Sequence, residues 1–327
     1  MDSGKDTLNV TITGGAGQIA YSLIPLVCSG QTFGDKIRIN LRLLDIEPMM
    51  KVLGGVAMEV QDCAFPLVNS VEHGFDPKEM LKDADVAIFV GGFPRKKGME
   101  RKDLIDKNVS IFKEQGKALN EVASSDCKIL VVANPANTNC LVLSKNAPNI
   151  PAENFSALTR LDHDRALNQV ALKTGNTVND VKDIVIWGNH SSTQYPDVRF
   201  VKIKGEKFDS KPDEEFYMGE FISTVQKRGA AIIDARNLSS SMSAANAANN
   251  HMKDWYFGSE HIVSMALITD GSTYDMEKDL CFSFPVKCKG NFKHEIVTGL
   301  EINDFSQEKM KITMTELLEE KQLANIE

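Results

Sequence analysis

Residues 8–20 read LNVTITGGAGQIA, and this stretch decides the fold. Its first part alternates and is rich in β-branched residues, which predicts a strand over residues 8–13. Glycines follow at once, and the apolar residues of 19–28 then predict a helix that only Pro25 interrupts. A strand, a glycine-rich turn and a helix in this order are typical of the phosphate-binding turn of a dinucleotide fold.

The turn matches the spacing G-x-G-x-x-A at Gly15, Gly17 and Ala20. Gly15 is expected to allow the tight turn, and Gly17 to let the backbone approach a pyrophosphate. Ala20 would let helix and strand pack closely, while the start of the helix faces the phosphates. The residues predicted to contact a cofactor here are Gly14, Gly15, Gly17, Gln18, Ile19 and Ala20.

An acidic residue ends the second predicted strand, residues 37–44, at Asp45. A carboxylate at this place accepts hydrogen bonds from the adenosine ribose and repels a 2′-phosphate, so the sequence favours NAD over NADP. The distance from Gly17 along the chain exceeds the usual spacing because a polar connector lies between the two elements. The alternative is an Asp that only opens the turn before Pro48.

Helical and strand-like patterns continue to alternate through the first half of the chain, over residues 50–63, 71–75, 77–82, 86–90, 104–119 and 128–133. Such βα alternation predicts a Rossmann-type, doubly wound parallel sheet in an α/β protein. We expect residues 1–156 to form the NAD-binding domain. Residues 157–327 would form a C-terminal α+β domain that carries substrate and catalysis.

Two polar segments follow strands of this predicted sheet. Residues 91–103 contain three Gly, one Pro and five cationic residues, a composition that suits a mobile lid. Arg95 and Arg101 could each bind a carboxylate or a carbonyl oxygen, although a solvated basic loop is the alternative. Asn134 ends the strand at 128–133, where its amide could bond a substrate hydroxyl; Asn-Pro alone is more often a turn.

Residues 159–165 read TRLDHDR and place a carboxylate and a guanidinium three positions apart, at Asp162 and Arg165. On a helix, residues three apart are neighbours, with about 5–6 Å between their Cβ atoms. Apolar residues at helical spacing follow, and Gly175 is a stop signal, so a helix is predicted here. The alternative is an Asp that only caps a helix and an Arg in a surface ion pair.

His190 comes just after a strand-like run, residues 184–187. A His that leaves a strand end can meet a carboxylate at a helix start, and a general base and its orienting acid are assembled in this way from distant sequence. We therefore predict that Asp162 holds His190, that His190 moves a proton, and that Arg165 binds an anion.

The rest of the second half predicts a helix-and-meander domain. Two segments at residues 213–237 and 239–257 are predicted to be long helices, and Ser239 or Ser240 could touch substrate. The other elements expected are a hairpin over 199–208, strands over 262–269, 279–287 and 292–300, and a terminal helix over 306–326 capped by Ser306.

Bulk properties narrow the function classes. The 327 residues, 42% hydrophobic and 25% charged, suffice for two domains with a substantial core. The net charge of −8 argues against nucleic acid or an anionic membrane as the main partner. Six Cys without a C-x-x-C pair are expected to be reduced thiols of a cytosolic protein. No targeting peptide, membrane span or metal site is expected.

Six motifs carry a resemblance to a known family, and they run along nearly the whole chain: TGGAGQIA, LLDI, PRKKGMERKD, NPANTN, TRLDHDR and WGNHSSTQYPDV. The chain resembles the NAD-dependent malate dehydrogenases of the cytosolic type, a branch of the lactate/malate dehydrogenase family. The resemblance implies reversible hydride transfer between (S)-malate and NAD to give oxaloacetate and NADH. It also implies a homodimer in the cytoplasm that binds a small dicarboxylate.

The resemblance further implies roles for single residues. His190 is similar to the family's catalytic proton acceptor, and Asp162 to its partner. Arg165 resembles the residue that binds the carboxylate next to the reacting carbon, Arg101 the lid residue that polarises the carbonyl, and Arg95 the residue that meets the second carboxylate. The remaining positions implied near cofactor or substrate are Asn108, Gln115, Val132, Ala133 and Asn134.

Small departures and two rival interpretations remain. Lys96 and Lys97 make the lid more basic than usual, and Ala133 stands where the family often has Gly. A lactate-type 2-hydroxyacid dehydrogenase is one rival, but its substrate's methyl group would give Arg95 no partner. The other rival, a NAD-binding protein without catalysis, predicts damage to the residues expected to react.

Overall fold

The computed structural model of the chain describes residues 5–94 and 100–326, apart from the side chain of Arg101. Within these ranges one nine-stranded sheet organises the molecule, with two smaller sheets beside it. Buried apolar side chains form two clusters on this framework.

The first six strands form the parallel part of the large sheet, and their order is β3-β2-β1-β4-β5-β6. They are β1 Thr7–Thr13, β2 Arg38–Leu44, β3 Val68–Gly74, β4 Val86–Phe89, β5 Lys128–Val131 and β6 Phe155–Ala157. In such a sheet the strand order reverses between β1 and β4, where the crevice at the carboxyl ends accepts ligands. The Rossmann-type sheet predicted from the sequence is confirmed.

Helices connect these strands, as parallel pairing requires. They are α1 Gln18–Cys28, α2 Met50–Asp62, α3 Pro77–Met80, α4 Arg101–Val122 and α5 Ala136–Asn146. All residues of the strands β4 and β5 are buried, which explains why these strands are apolar except for Lys128 at the start of β5.

The C-terminal half extends the same sheet with antiparallel strands. The strand β12 pairs with β6, and the order continues to β13 and β14. These strands are β12 Val263–Ile268, β13 Cys281–Gly290 and β14 Lys293–Ile296. The smaller sheets use β7 Val181–Lys182, β8 Val185–Trp187, β9 Tyr195–Asp197, β10 Lys202–Ile203 and β11 Glu206–Lys207.

Five further helices surround this half: α6 Arg160–Thr174, α7 Glu214–Met218, α8 Glu220–Arg236, α9 Met242–Phe257 and α10 Asp304–Leu323. The single helix predicted for residues 213–237 is wrong in one respect, because the chain breaks at Gly219 between α7 and α8. Ser306 is not the cap of α10 either. Asn303 takes that place, and its side chain accepts a hydrogen bond from the Ser306 N–H.

Candidate active site

The glycine turn between β1 and α1 is so tightly packed that it has no room for a side chain at Gly14. Gly14 has a φ of +66°, and a Cβ there would lie 2.5 Å from the Cα of Gly91. The left-handed residue of the turn is therefore Gly14 and not Gly15, for which the tight turn was predicted. Gly15 instead packs against the next strand, where a Cβ would lie 3.1 Å from that of Leu43.

The start of α1 fits a dinucleotide phosphate. No side chain caps this helix, and a Cβ at Gly17 would lie 3.1 Å from the carbonyl oxygen of Gly14. The backbone is thus exposed to close approach at a helix N-terminus, a place that favours anions. The fully buried Ala20 lets the helix pack closely on the sheet.

Asp45 lies at the end of β2, beside the glycine turn. Its Oδ2 accepts a hydrogen bond of 2.9 Å from the Ala16 N–H, and its Oδ1 accepts one of 2.8 Å from the Ile46 N–H. The carboxylate is half-buried and fixed against the turn. This location is the one from which a carboxylate binds the ribose of a dinucleotide.

The helix α6 presents Asp162 and Arg165 together. Thr159 precedes it, and Gly175 ends it with a φ of +66°, so the helix predicted from the sequence is confirmed. Arg165 Nη1 donates to Asp162 Oδ1 over 3.0 Å. The Asp162 side chain has no exposed surface, whereas 14% of the Arg165 side chain is exposed.

His190 reaches this pair from the turn after β8. Its Nε2 lies 3.1 Å from Asp162 Oδ2, and 20% of its side chain is exposed. Its Nδ1 lies 2.8 Å from the side-chain oxygen of Asn134. Both ring nitrogens face oxygen atoms, an arrangement that a doubly protonated imidazolium satisfies by donating twice.

The charge of Asp162 is stabilised by its neighbours. Burial by itself raises the pKa of this carboxyl group, but His190, Arg165 and a hydrogen bond from Gln194 together hold the pKa below its usual value. Asp162 therefore stays ionised at neutral pH, and it can stabilise a positive charge on the imidazole.

The structure adds residues that spacing did not indicate. Gln194 Nε2 donates to Asp162 Oδ1 over 3.1 Å, and Gln226 in turn donates to the Gln194 carbonyl oxygen over 2.7 Å. Arg165 Nη2 lies 3.4 Å from Ser240 Oγ, so Ser240 is the serine that reaches the site. Gln194 lies in the motif WGNHSSTQYPDV, yet nothing in that pattern pairs it with Asp162.

The other residues predicted near the cofactor lie in different settings. Asn108 is fully buried, and its amide bonds the backbone of Phe93 and Leu104. Gln115 has a buried Oε1 without a partner among the described residues. Val132 and Ala133 continue β5, and their N–H groups both donate to the Phe89 carbonyl oxygen. The contacts predicted between these residues and a cofactor stay predictions.

The lid residues that the sequence assigns to substrate are not all described. Arg95, Lys96 and Lys97 lie outside the described residues, as does the side chain of Arg101. Across residues 5–94 and 100–326, no helix is both long and apolar enough to cross a bilayer. In the same ranges, no cluster of three His, Cys, Asp or Glu residues could hold a metal ion.

A doubly wound sheet with a glycine-rich first turn and an acidic residue after its second strand is typical of NAD-dependent dehydrogenases. Two family models match the chain. Residues 8–156 match the lactate/malate dehydrogenase NAD binding domain, and residues 159–326 match the alpha/beta C-terminal domain of the same family. The chain belongs to the lactate/malate dehydrogenase family, and NAD is its cofactor.

Similar proteins are known by sequence and by structure. The chain is 54% identical to cytoplasmic malate dehydrogenase of Rattus norvegicus, over 98% of both chains. It is similar to a malate dehydrogenase structure from Naegleria fowleri, with 46% identity, a TM-score of 0.95 and 98% of both chains covered. It is also similar to Trichomonas vaginalis lactate dehydrogenase in complex with NADH and oxamate, at 38% identity, a TM-score of 0.93 and coverage of 97% and 98%. Because malate and lactate dehydrogenases share this fold, the fold alone does not identify the substrate.

Proposed function

We propose that the chain is a malate dehydrogenase that interconverts (S)-malate and oxaloacetate with NAD. The observation that carries this proposal is the convergence of His190 and Arg165 on Asp162. A proton-transfer group and an anion-binding group then lie beside one another at the edge of the cofactor crevice. The identity with proteins named malate dehydrogenase supports the same substrate.

His190 is the proposed proton acceptor. Oxidation of malate removes a proton from the hydroxyl group and a hydride from the carbon that bears this group. Bound NAD would supply the acceptor for the hydride. A neutral His190 takes the proton and becomes an imidazolium, which the ionised Asp162 stabilises. In the opposite direction, hydride addition to oxaloacetate develops negative charge on the carbonyl oxygen, and the imidazolium returns the proton to that oxygen.

Arg165 is proposed to bind the carboxylate next to the reacting carbon. Its side chain is mostly buried, and one guanidinium edge is oriented by Asp162 and Ser240. A guanidinium held in this way can bind a carboxylate through two parallel hydrogen bonds. Asn134, which is exposed beside the His190 ring, is proposed to bond the substrate oxygen.

The lid is proposed to supply the other two substrate contacts. Arg101 would stabilise charge that develops on the carbonyl oxygen, and Arg95 would bind the second carboxylate. This assignment rests on the family resemblance, and it separates the proposal from a lactate-type enzyme. The methyl group of pyruvate offers no charge to Arg95.

The cofactor is proposed to lie along the carboxyl edge of the sheet. Gly14, Gly15 and Gly17 would approach the pyrophosphate, together with Gln18, Ile19 and Ala20 at the start of α1. Asp45 would accept hydrogen bonds from the adenosine ribose, a role supported by its fixed carboxylate beside the turn. The remaining cofactor contacts proposed are Asn108, Gln115, Val132, Ala133 and Asn134.

The proposal extends to organisation and location. We divide the chain into an NAD-binding domain of residues 1–156 and a catalytic domain of residues 157–327, a division supported by where the two family models meet. A homodimer is proposed from the family resemblance. A cytoplasmic location is proposed because the similar proteins of Rattus norvegicus and Homo sapiens bear that description.

The direct test compares substrates and cofactors side by side. NADH oxidation is followed at 340 nm with oxaloacetate, pyruvate and 2-oxoglutarate, and the series is repeated with NADPH. The proposal predicts that kcat/KM is highest for oxaloacetate with NADH. A higher kcat/KM for pyruvate would instead assign a lactate-type enzyme.

The variant Arg95→Gln tests the substrate contact. Loss of an ion pair to a buried carboxylate costs about 2–5 kcal/mol. The ratio of kcat/KM for oxaloacetate to that for pyruvate should therefore fall by about 30-fold or more. Lys113→Gln, an exposed cation on α4, is the matched control and should leave this ratio unchanged. An unchanged ratio in Arg95→Gln would reject its role.

A further inference from the structure

The turn that carries His190 is fixed from outside by the terminal helix. This connection, which we name the histidine turn, comprises residues 188–194 between β8 and β9. Its own strands are only three residues long, at Val185–Trp187 and Tyr195–Asp197. Short strands give few ladder hydrogen bonds, so the position of His190 depends on contacts from other elements.

Glu316 of α10 gathers donors from the histidine turn onto one carboxylate oxygen. Its Oε2 accepts from Asn189 Nδ2 over 2.9 Å and from Thr193 Oγ1 over 2.6 Å. Ser191 Oγ donates to the same oxygen. Asn189 and Ser191 lie directly before and after His190, and Thr193 follows two positions later, so this carboxylate binds the turn on both sides of His190.

Glu320 lies one helical turn further along α10 and makes a second contact with the histidine turn. Only 3% of this residue is exposed. Its Oε1 accepts from Asn189 Nδ2 over 3.1 Å, and its Oε2 accepts from Thr138 Oγ1. Since Thr138 lies on α5, Glu320 connects the histidine turn to the helix that follows Asn134.

Thr313 adds a contact to the backbone of the turn. Its Oγ1 accepts from the Asn189 N–H over 2.8 Å and lies 3.0 Å from Thr193 Oγ1. Gly188 has a φ of +94°, and its missing Cβ leaves room for the Thr313 side chain. The helix and the turn are therefore in direct contact.

Asn137 holds the opposite side of the histidine turn. Its Oδ1 accepts from the His190 N–H over 2.9 Å, while its Nδ2 donates to the Gly188 carbonyl oxygen over 3.2 Å. The same Nδ2 donates to the Cys281 carbonyl oxygen over 2.8 Å. The turn is thus gripped between α5 and α10, with His190 directed at Asp162.

We propose that Glu316 and Glu320 of α10, together with Thr313, are positioning residues that hold the His190 imidazole in line with Asp162 for proton transfer. The inference rests on the proposed role of His190. Burying carboxylates costs free energy unless hydrogen bonds compensate for the lost water. A carboxylate at this place is suited to the task because each oxygen accepts several hydrogen bonds, and neighbouring donors can converge on it.

The expected defect is in the chemical step. The histidine turn carries the proton acceptor, whereas Arg165 and the lid bind the substrate. A displaced imidazole should therefore lower kcat more than it raises KM, because contacts that hold the ground state remain. A displacement of about 1 Å can lower a rate by about 100-fold.

The first experiment compares Glu316→Leu with Glu319→Leu. Glu319 lies on the exposed face of the same helix and is the matched control. Rates are normalised to NADH-binding sites, counted by fluorescence titration. We expect kcat to fall about 10- to 100-fold in Glu316→Leu, with a smaller change in the KM for oxaloacetate. The control should keep the parent kcat, and a normal kcat per binding site in Glu316→Leu would overturn the proposal.

The second experiment uses Thr313 and decides the question if Glu316→Leu does not fold. Thr313→Val keeps the shape and removes the acceptor, whereas Thr313→Ser keeps the acceptor. We expect kcat to fall in the first variant and to remain near the parent value in the second. Equal kcat values in both variants would overturn the proposal, since packing alone would then explain the contact.

His190→Asn, measured in parallel, separates this proposal from the proposed function. If His190→Asn retains turnover, the proton-acceptor role itself is wrong. If His190→Asn loses turnover while the Glu316 and Thr313 variants turn over normally, only the positioning role is wrong. A loss in His190→Asn, Glu316→Leu and Thr313→Val, with NADH binding retained and Thr313→Ser near the parent kcat, supports both.

Discussion

The cofactor turn and the catalytic corner lie at the same edge of the sheet, but they are built from different material. The cofactor turn at Gly14–Ala20 depends on backbone and on the absence of side chains. The catalytic corner depends on side chains that meet from separate elements: Asp162 and Arg165 from α6 and His190 from the turn after β8. The first site needs space, whereas the second needs precise contacts, so substitutions should damage them in different ways.

The largest expected effect is in the catalytic corner. His190→Asn removes the proposed proton acceptor but retains a polar side chain of similar reach. Loss of general acid–base catalysis lowers rates by about 100- to 10,000-fold, and kcat should fall within that range. Affinity for NADH, measured by fluorescence, should be unchanged because the cofactor turn is separate. A variant with nearly normal kcat would remove the distinction between the two regions.

The next largest effect is in the cofactor turn, where the addition of a single carbon atom should lower the free energy of unfolding. Gly14 and Gly175 both have a φ of +66°, but only at Gly14 would a Cβ meet backbone, at 2.5 Å. Gly175→Ala therefore isolates the cost of the left-handed conformation, about 1–2 kcal/mol. Gly14→Ala adds overpacking and should lower the free energy of unfolding by about 1–3 kcal/mol more.

Urea unfolding of the two glycine variants gives this difference, and a titration with NADH gives the accompanying loss of affinity in Gly14→Ala. Equal unfolding free energies would mean that the turn accommodates a side chain. The comparison between a site that needs space and one that needs contacts would then no longer hold.

A smaller effect is expected for Asp45, whose side chain accepts a hydrogen bond from the cofactor turn. Asp45→Ser removes a charged acceptor beside the turn, and hydrogen bonds to charged groups contribute about 1.5–3 kcal/mol. The preference for NADH over NADPH in kcat/KM should fall by about 10-fold or more, since repulsion of the 2′-phosphate is also lost. If the preference is unchanged, the ribose contact lies elsewhere.

The last prediction concerns the fall in the free energy of unfolding at acidic pH. We expect a residue outside the catalytic corner, His251, to contribute to this fall. Burial, with Arg160 and His294 nearby, lowers the pKa of His251 to about 3 from 6.5. Its neutral form is therefore favoured in the fold, and stability falls as the pH drops below 6.5, where the unfolded chain takes up the proton. Between pH 6.5 and pH 5 this amounts to about 2 kcal/mol.

His251→Leu should reduce the decrease in unfolding free energy over this pH range, as measured by urea unfolding at both values. His73→Leu, at an exposed position, is the control and should leave the decrease unchanged. The lowered pKa of Asp162 has the same sign, but the stability from its ionised form is lost only as the pH falls into the usual carboxyl range, below the interval used in this measurement. If the unfolding free energy of His251→Leu depends on pH as in the parent protein, His251 is not the source of the decrease between pH 6.5 and pH 5.

Sequence spacing predicted the parts of the site that arise from local geometry. Asp162 and Arg165 are three apart on a helix, so their proximity follows from helical periodicity. The meeting of His190 with Asp162 was also predicted, because a strand end and a helix start converge at one edge of the fold. The observed distances of 3.0 and 3.1 Å agree with both predictions.

Contacts between distant elements could not be predicted from spacing. Asn189 and Glu316 are separated by 127 positions, and only the packing of α10 brings them together. Glycine patterns were also ambiguous. Gly219 separates two helices while Gly229 lies inside one, and nothing in the local sequence distinguishes them. Likewise, the left-handed φ of Gly14 and its close approach to Gly91 are apparent only from the fold.

The most direct measurement is a crystal structure of the chain with NADH and tartronate, a dicarboxylate 2-hydroxy acid that mimics malate. The account predicts that the hydroxyl oxygen of tartronate lies about 2.6–3.2 Å from a ring nitrogen of His190. One carboxylate should be bound by Arg165 while Asp162 keeps its contact with the imidazole. A tartronate bound with His190 out of reach, or with Arg165 bound to neither carboxylate, would contradict the account.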